Sequence, residues 1–109
     1  MLPLIEEHLD EVAELCKRYW VQRLDVFGSA VKNTFEQGKS DLDFIVRFDA
    51  PGEPFYARRY YQFAEQLQTL FNCPTDVLID QPFSNPYFRQ DVDATRQTVY
   101  EINNPKAVI

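Results

Sequence analysis

Asp41 and Asp43 stand two positions apart in the run Asp41 to Phe48, where Leu42, Phe44, Val46 and Phe48 alternate with Asp41, Asp43, Ile45 and Arg47. A period of two marks a strand. Both carboxylates then leave one face, with Cα atoms about 6.6–7 Å apart, while the apolar set takes the core. Neighbouring carboxylates repel, and burial raises their pKa values unless a cation lies between them. Hard oxygen ligands at that reach suit Mg2+, which commonly takes one or two carboxylates together with waters and substrate phosphates. The competing reading of such a pair is an ordinary strand with a solvated acidic face.

Gly28-Ser29 precedes this strand at a change of pattern from strand to helix. A glycine there lets backbone approach a ligand closely, and the first amides of the following helix favour an anion. Ser29 offers a hydroxyl donor to a phosphate oxygen. By itself the pair is a turn and a helix cap; it gains meaning from the acids that follow. Asp76, at the start of the run TDVLI, supplies a third carboxylate if that run lies beside Asp41 to Phe48 in register. Asp80 is the competing third acid, but it sits at the opposite end of the same short strand. Three acids with an anion-binding turn describe metal-assisted phosphoryl or nucleotidyl transfer, in which an acid orients or deprotonates the attacking hydroxyl.

Other chemistries are poorly supplied. Cys16 and Cys73 are far apart without CxxC spacing, which indicates neither a zinc site nor a disulfide framework. His8, the only histidine, falls on an early helix with no sign of a triad around it. Three glycines, Gly28, Gly38 and Gly52, cannot form a GxGxxG or Walker A loop.

The elements that must position these residues follow from hydrophobic period. Residues 4–20 place Ile5, Leu9, Val12, Cys16 and Tyr19/Trp20 at helical spacing behind Pro3. Arg23 to Phe27 reads as a strand, and Ser29 as the N-cap of a helix over about 30–36. The stretch from Asp49 to Pro54 has turn chemistry, and the spacing then predicts a helix over 55–71 with Tyr56, Tyr60, Phe63, Ala64, Leu67, Leu70 and Phe71 on one stripe. Strands over Thr75 to Ile79 and Thr98 to Ile102 flank a short helix over Tyr87 to Asp93. This order implies an α/β (α+β) fold: a small mixed sheet flanked by helices. The 109 residues are read as one domain, with no repeat or composition shift.

At this point the residues support a family resemblance. The run FGSAVKNTFEQGKSDLDFIVRF, Phe27 to Phe48, resembles the GS…DxD signature of the DNA polymerase β-like nucleotidyltransferase superfamily, and in particular the minimal nucleotidyltransferases (MNT) of prokaryotes, often encoded beside HEPN-domain proteins. The likeness continues through PTDVLI and NPYFRQDVDATRQTVYE to Glu101. It implies that Gly28 and Ser29 hold nucleotide phosphates, that Asp41 and Asp43 are the metal-binding pair, and that Asp76 is the third catalytic and metal-binding carboxylate. Eleven residues separate Ser29 from Asp41, one more than the commonest family spacing, which implies a longer loop around Gly38. Where members often carry arginine three positions after the serine, this chain has Lys32: phosphate attraction remains, without the bidentate fork.

The resemblance further implies transfer of a nucleoside monophosphate, AMP from ATP with Mg2+, to a tyrosine hydroxyl on a HEPN toxin, with this chain as the antitoxin in a hetero-oligomer. Two alternatives stand beside it: an antitoxin that masks its toxin without catalysis, and a small-molecule nucleotidyltransferase. The last usually needs a second domain, for which the length leaves no room. A net charge of −6 disfavours direct nucleic-acid binding. Apolar runs of only a few residues predict neither membrane span nor signal peptide, hence a soluble, cytoplasmic chain. Phe55 and Tyr61, off the core stripe, and the five acids among residues 6–14 are candidate partner contacts.

Overall fold

The computed structural model describes residues 2–32, 36, 39–49, 54–81 and 84–102. The expected longer loop around Gly38, the turn at 50–53 and the tail at 103–109 lie outside them. The described residues form nine elements: α1 (Pro3–Glu6), α2 (Leu9–Arg18), β1 (Val21–Phe27), α3 (Ser29–Lys32), β2 (Leu42–Phe48), α4 (Tyr56–Phe71), β3 (Thr75–Ile79), α5 (Pro86–Thr95) and β4 (Gln97–Glu101). They form a mixed α/β fold around one four-stranded sheet of order β3-β2-β1-β4. β1 runs antiparallel to β2 and β4, and β3 parallel to β2. A parallel pair cannot be joined by a tight turn, and α4 provides the crossover. None of the described helices is long and apolar enough to cross a membrane.

The strand alternation sorts side chains onto two unequal faces. On one, Leu24 and Val26 of β1 and Leu42, Phe44 and Val46 of β2 pack under Ile5, Val12, Cys16, Phe63 and Leu67 of the α1, α2 and α4 layer. Burial pushes the Cys16 thiol pKa up, and both cysteines are free. On the other face Phe27 and Ile45 meet Val92 of α5, with Leu78 and Phe88 packed around them. The second face of β2 is therefore apolar at its middle position, Ile45, and polar at Asp43 and Arg47 on either side.

Three elements depart from their predicted form. The helix over 4–20 is two helices, broken at Glu7 and His8. No proline or glycine announces the break; the His8 ring instead meets the edge of Phe71 at 5.5 Å and its Nδ1 lies 2.9 Å from the Leu4 carbonyl oxygen. His8 thus serves packing. At the end of α2, Trp20 takes φ +61° and sits 53% exposed, outside the stripe assigned to it, and β1 starts directly after it at Val21. Finally, α5 extends beyond Tyr87–Asp93 at both ends, because Pro86 fits the first turn and the Asn85 side chain caps it by accepting from the Tyr87 and Phe88 amides at 2.9 and 3.3 Å.

Candidate active site

Strand register brings two of the three candidate acids together. Asp43 lies opposite Asp76 on the parallel neighbour and opposite Phe27 on the antiparallel one, so it sits between the end of β1 and the start of β3. Asp41 precedes β2 by one residue, and the Leu42 amide donates to the Pro74 carbonyl at 3.0 Å, holding both strand starts level. Asp41 and Asp76 are exposed and Asp43 is half-buried. Burial, then the negative charges of Asp76 and Asp41, push the Asp43 carboxyl up to about 6. Among the described residues no cation forms an ion pair with any of the three.

Gly28 closes the site from the β1 side. Its φ of +73° is one that residues with a Cβ rarely adopt, and a Cβ there would stand 3.0 Å from Asp43 Oδ2. The glycine is required both by the turn and by the nearness of the carboxylate. The Gly28 carbonyl accepts from the Val31 and Lys32 amides at 2.9 and 3.0 Å, so Gly28 occupies the capping position and Ser29 is the first helical residue, not the N-cap. The hydroxyl of Ser29 is then spared that duty. The Gly28 amide itself donates to Thr95 Oγ1 at 3.0 Å and is committed to α5. The first amides of a helix lack partners within it, and Ser29 and Ala30 hold those positions in α3.

Lys32 is placed less simply than its spacing suggests. Its Nζ donates to Asp91 Oδ1 of α5 at 2.9 Å. Asp91, with Gly28, Asp43 and Asp76, lines a cleft of about 520 Å³ that is also lined by Tyr60, Tyr61 and Ala64 of α4 and Phe88 of α5. That volume is within the ordinary range for small-ligand sites. Asp41, Ser29 and Lys32 are not among the lining residues. Tyr60 donates its hydroxyl to the Val77 carbonyl at 2.6 Å, and the Thr75 amide donates to Gln68 Oε1 at 3.4 Å, so α4 side chains engage the open edge of β3 beside the cleft.

Asp80, the competing third acid, belongs to a different cluster. It accepts from Arg47 at 3.0 Å, from Arg96 at 3.3 Å and from Arg89 at 3.5 Å. Burial raises its pKa, but hydrogen bonds and charge from Arg96 and Arg47 win and leave it below the usual carboxylate range. Asp91 and Thr95 carried no sequence signal, since they meet the Gly28 turn across 59 and 67 residues of chain. Only the docking of α5 on the sheet brings them there.

Among the described residues no three His, Cys, Asp or Glu side chains are gathered so as to hold a metal ion among themselves. A divalent ion that takes most of its ligands from water and phosphate needs only one or two carboxylates. The Asp41–Asp43 pair, with burial and then like charge disfavouring the ionised form of Asp43 and no Cβ on Gly28 to crowd Oδ2, fits such an ion.

The site can be compared with known proteins. The family profile of the nucleotidyltransferase domain matches residues 5–99. A solved structure described as a minimal nucleotidyltransferase is similar over 84% of this chain and 89% of its own, with 24% identity and a TM-score of 0.66. A chain of a toxin–antitoxin complex with AMP-PNP is similar over 92% of this chain and 78% of its own, with 15% identity and a TM-score of 0.65. A chain from the complex of the tri-AMPylated Shewanella oneidensis HEPN toxin with MNT antitoxin is similar over 95% and 78%, with 12% identity and a TM-score of 0.59. No protein of curated function matches the sequence. At these identities the solved structures attest the fold, and the profile, which spans Gly28, Asp41, Asp43 and Asp76, attests descent: the chain belongs to the nucleotidyltransferase domain family.

Proposed function

We propose that this chain is a Mg2+-dependent nucleotidyltransferase that transfers AMP from ATP to a hydroxyl of a HEPN-domain toxin, and in doing so acts as its antitoxin in the cytoplasm. The observation that carries the catalytic part is the register of Asp43 against Asp76, beside Gly28, with no described cation paired to either acid. The fold neighbours include a toxin–antitoxin complex with AMP-PNP and a tri-AMPylated HEPN toxin bound to MNT antitoxin, and these favour AMP as the unit and a HEPN protein as the acceptor.

In this reading Asp41 and Asp43 hold Mg2+, which supplies charge neutralisation to the triphosphate. The Ser29 hydroxyl and the Ser29 and Ala30 amides orient phosphate oxygens, with Lys32 contributing a positive charge. Asp76 accepts the hydrogen bond of the acceptor hydroxyl and takes its proton as the oxygen bonds to the α-phosphorus. The bond from that phosphorus to the bridging oxygen breaks, and pyrophosphate leaves. The aromatic side chains of Tyr60, Tyr61 and Phe88 supply apolar lining to the cleft.

The test is incubation with ATP labelled at the α-phosphate, Mg2+ and the product of the neighbouring gene, expected to be a HEPN protein. Label is expected on the HEPN protein with wild type and not with Asp43→Asn. Stable complex formation without label transfer, with several nucleotides tried, would instead support neutralisation by masking, and the Asp41→Asn, Asp43→Asn double variant would then still protect cells from the toxin.

A further inference from the structure

Two donors of the Gly28 turn are held by one helix. Thr95 takes the Gly28 amide at 3.0 Å, and Asp91, one turn earlier on α5, takes Lys32 Nζ at 2.9 Å. The two contacts differ in kind. Thr95 Oγ1 also donates to the Asp91 carbonyl at 3.0 Å and sits partly buried, a fixed joint between α5 and the turn. The Lys32 and Asp91 side chains are 45% and 50% exposed. An ion pair so open to water contributes little to stability and exchanges partners readily. Nor is it needed to seat α5, which is already anchored by buried Val92, by Arg96 donating to the buried Asp25 at 2.7 Å, and by Thr95. Asp91 nevertheless lines the same cleft as Asp43 and Asp76. Asp91 thus joins the cleft to Lys32, a cation that does not itself line it.

We propose that Asp91 competes with the nucleotide phosphates for Lys32: it holds the ammonium when the cleft is empty and yields it to a phosphate oxygen when a triphosphate enters. This rests on the reading of the cleft as a nucleotide site. Asp91 then acts through Lys32 as a positioning residue that lowers nucleotide affinity, keeping Lys32 at the rim and its charge cancelled until the more highly charged ligand arrives. The sign of its effect is opposite to that of a metal ligand or a general base. Its removal improves the site.

The full chain is titrated with Mg2+-ATP and, separately, with inorganic triphosphate, as wild type, Asp91→Asn, Lys32→Gln and the double variant, and the KM for ATP and kcat are measured with the HEPN acceptor. Asp91→Asn is expected to tighten both ligands by about 3–5-fold, in line with the modest strength of exposed pairs, and to lower KM with little change in kcat. In the Lys32→Gln background the gain disappears. Unchanged or weaker binding in Asp91→Asn overturns the proposal, as does a gain that persists without Lys32, which would reflect general repulsion. Absence of ATP binding alongside an Asp91-dependent response to triphosphate defeats the nucleotide-transfer reading but leaves the exchange standing; absence of both responses defeats both.

Discussion

At one end of the sheet face covered by α5, Asp25 and Asp80 are bound by arginines: Arg96 reaches Asp25 at 2.7 Å and Asp80 at 3.3 Å, Arg23 reaches Asp25 at 3.1 Å, and Arg47 reaches Asp80 at 3.0 Å. At the other end, Asp41, Asp43 and Asp76 form no described ion pair. The two clusters occupy the same strands. Asp76 lies on β3 and Asp80 directly after its end, and Leu78 between them packs with Phe27, Ile45 and Val92 as an apolar divider. Composition is shared, and what separates the clusters is the supply of cations. Where arginines are present, Asp80 is held below the usual carboxylate range; where they are lacking, Asp43 is pushed up to about 6. Acids with cations already supplied fasten α5 to the sheet. In the proposed function, the acids without them await a cation brought by a ligand.

Removing one acid at each end separates the roles. Asp43→Asn keeps shape and removes charge, and is expected to cut AMP transfer by about 10²–10³-fold, the scale seen when a group stabilising transition-state charge is lost, with thermal stability unchanged or raised. Asp80→Asn at the paired end is expected to keep transfer and lower stability instead. A comparable loss of transfer in Asp80→Asn, measured on folded protein, would break the distinction between the two ends.

The difference also shows what the chain can and cannot announce. Asp41, Asp43 and Asp76 stand out because alternation along a strand fixes which face a side chain takes, whereas the register that aligns Asp43 with Asp76 is only a condition in the sequence and is supplied by the pairing of β2 with β3. Gly28 is readable for the same local reason, since a turn between β1 and α3 requires it. Asp25 gave no signal: an isolated acid in an apolar strand, its meaning depends on Arg96, 71 residues away. Arg59 is similar. It is a buried arginine on α4 whose guanidinium donates to the Tyr19 and Asp49 carbonyls and lies over Trp20, Phe48 and Tyr56, and no periodicity marks it. Ser29 as a cap and the unbroken first helix failed for a related reason, because a glycine carbonyl and a histidine ring supplied what the local pattern had assigned elsewhere.

Arg96→Met tests the paired end from the cation side. Asp25 is fully buried, so loss of Arg96 leaves a carboxylate with only Arg23 for compensation. The expected destabilisation is about 3 kcal/mol, the lower part of the range for breaking a buried pair, read as a lower midpoint in urea unfolding. A stability equal to wild type would show that the network does not fasten α5. Gly28→Ala, at the unpaired end, has a smaller effect of about 1–2 kcal/mol from the left-handed backbone and the crowding of Asp43 Oδ2 at 3.0 Å. It is expected to reduce nucleotide affinity as well, since Asp43 must shift to admit the methyl group.

The pH dependence of stability sets the two ends against each other in one measurement. Asp43 has a folded pKa of about 6, above its usual 3.8, so the native state binds more protons than the unfolded chain between those values. Its contribution to stability therefore rises as pH falls from about 7 through 6 towards 4; with allowance for solvent at a half-buried group, the gain is about 1 kcal/mol. Asp80 runs the other way: its depressed pKa gives stability that is present above the usual carboxylate range and lost as pH falls through the folded value. Thermal unfolding of the metal-free chain across about pH 2–7 is expected to show stability increasing as pH falls from about 7 towards about 4, then declining below the usual carboxylate range. In Asp43→Asn the increase disappears while the decline persists, and in Asp80→Asn the reverse holds. Added Mg2+ and ATP should also abolish the increase, because a cation at Asp43 favours the ionised form that the empty site penalises. An increase that survives Asp43→Asn would place the proton elsewhere and remove the electrostatic contrast between the two clusters.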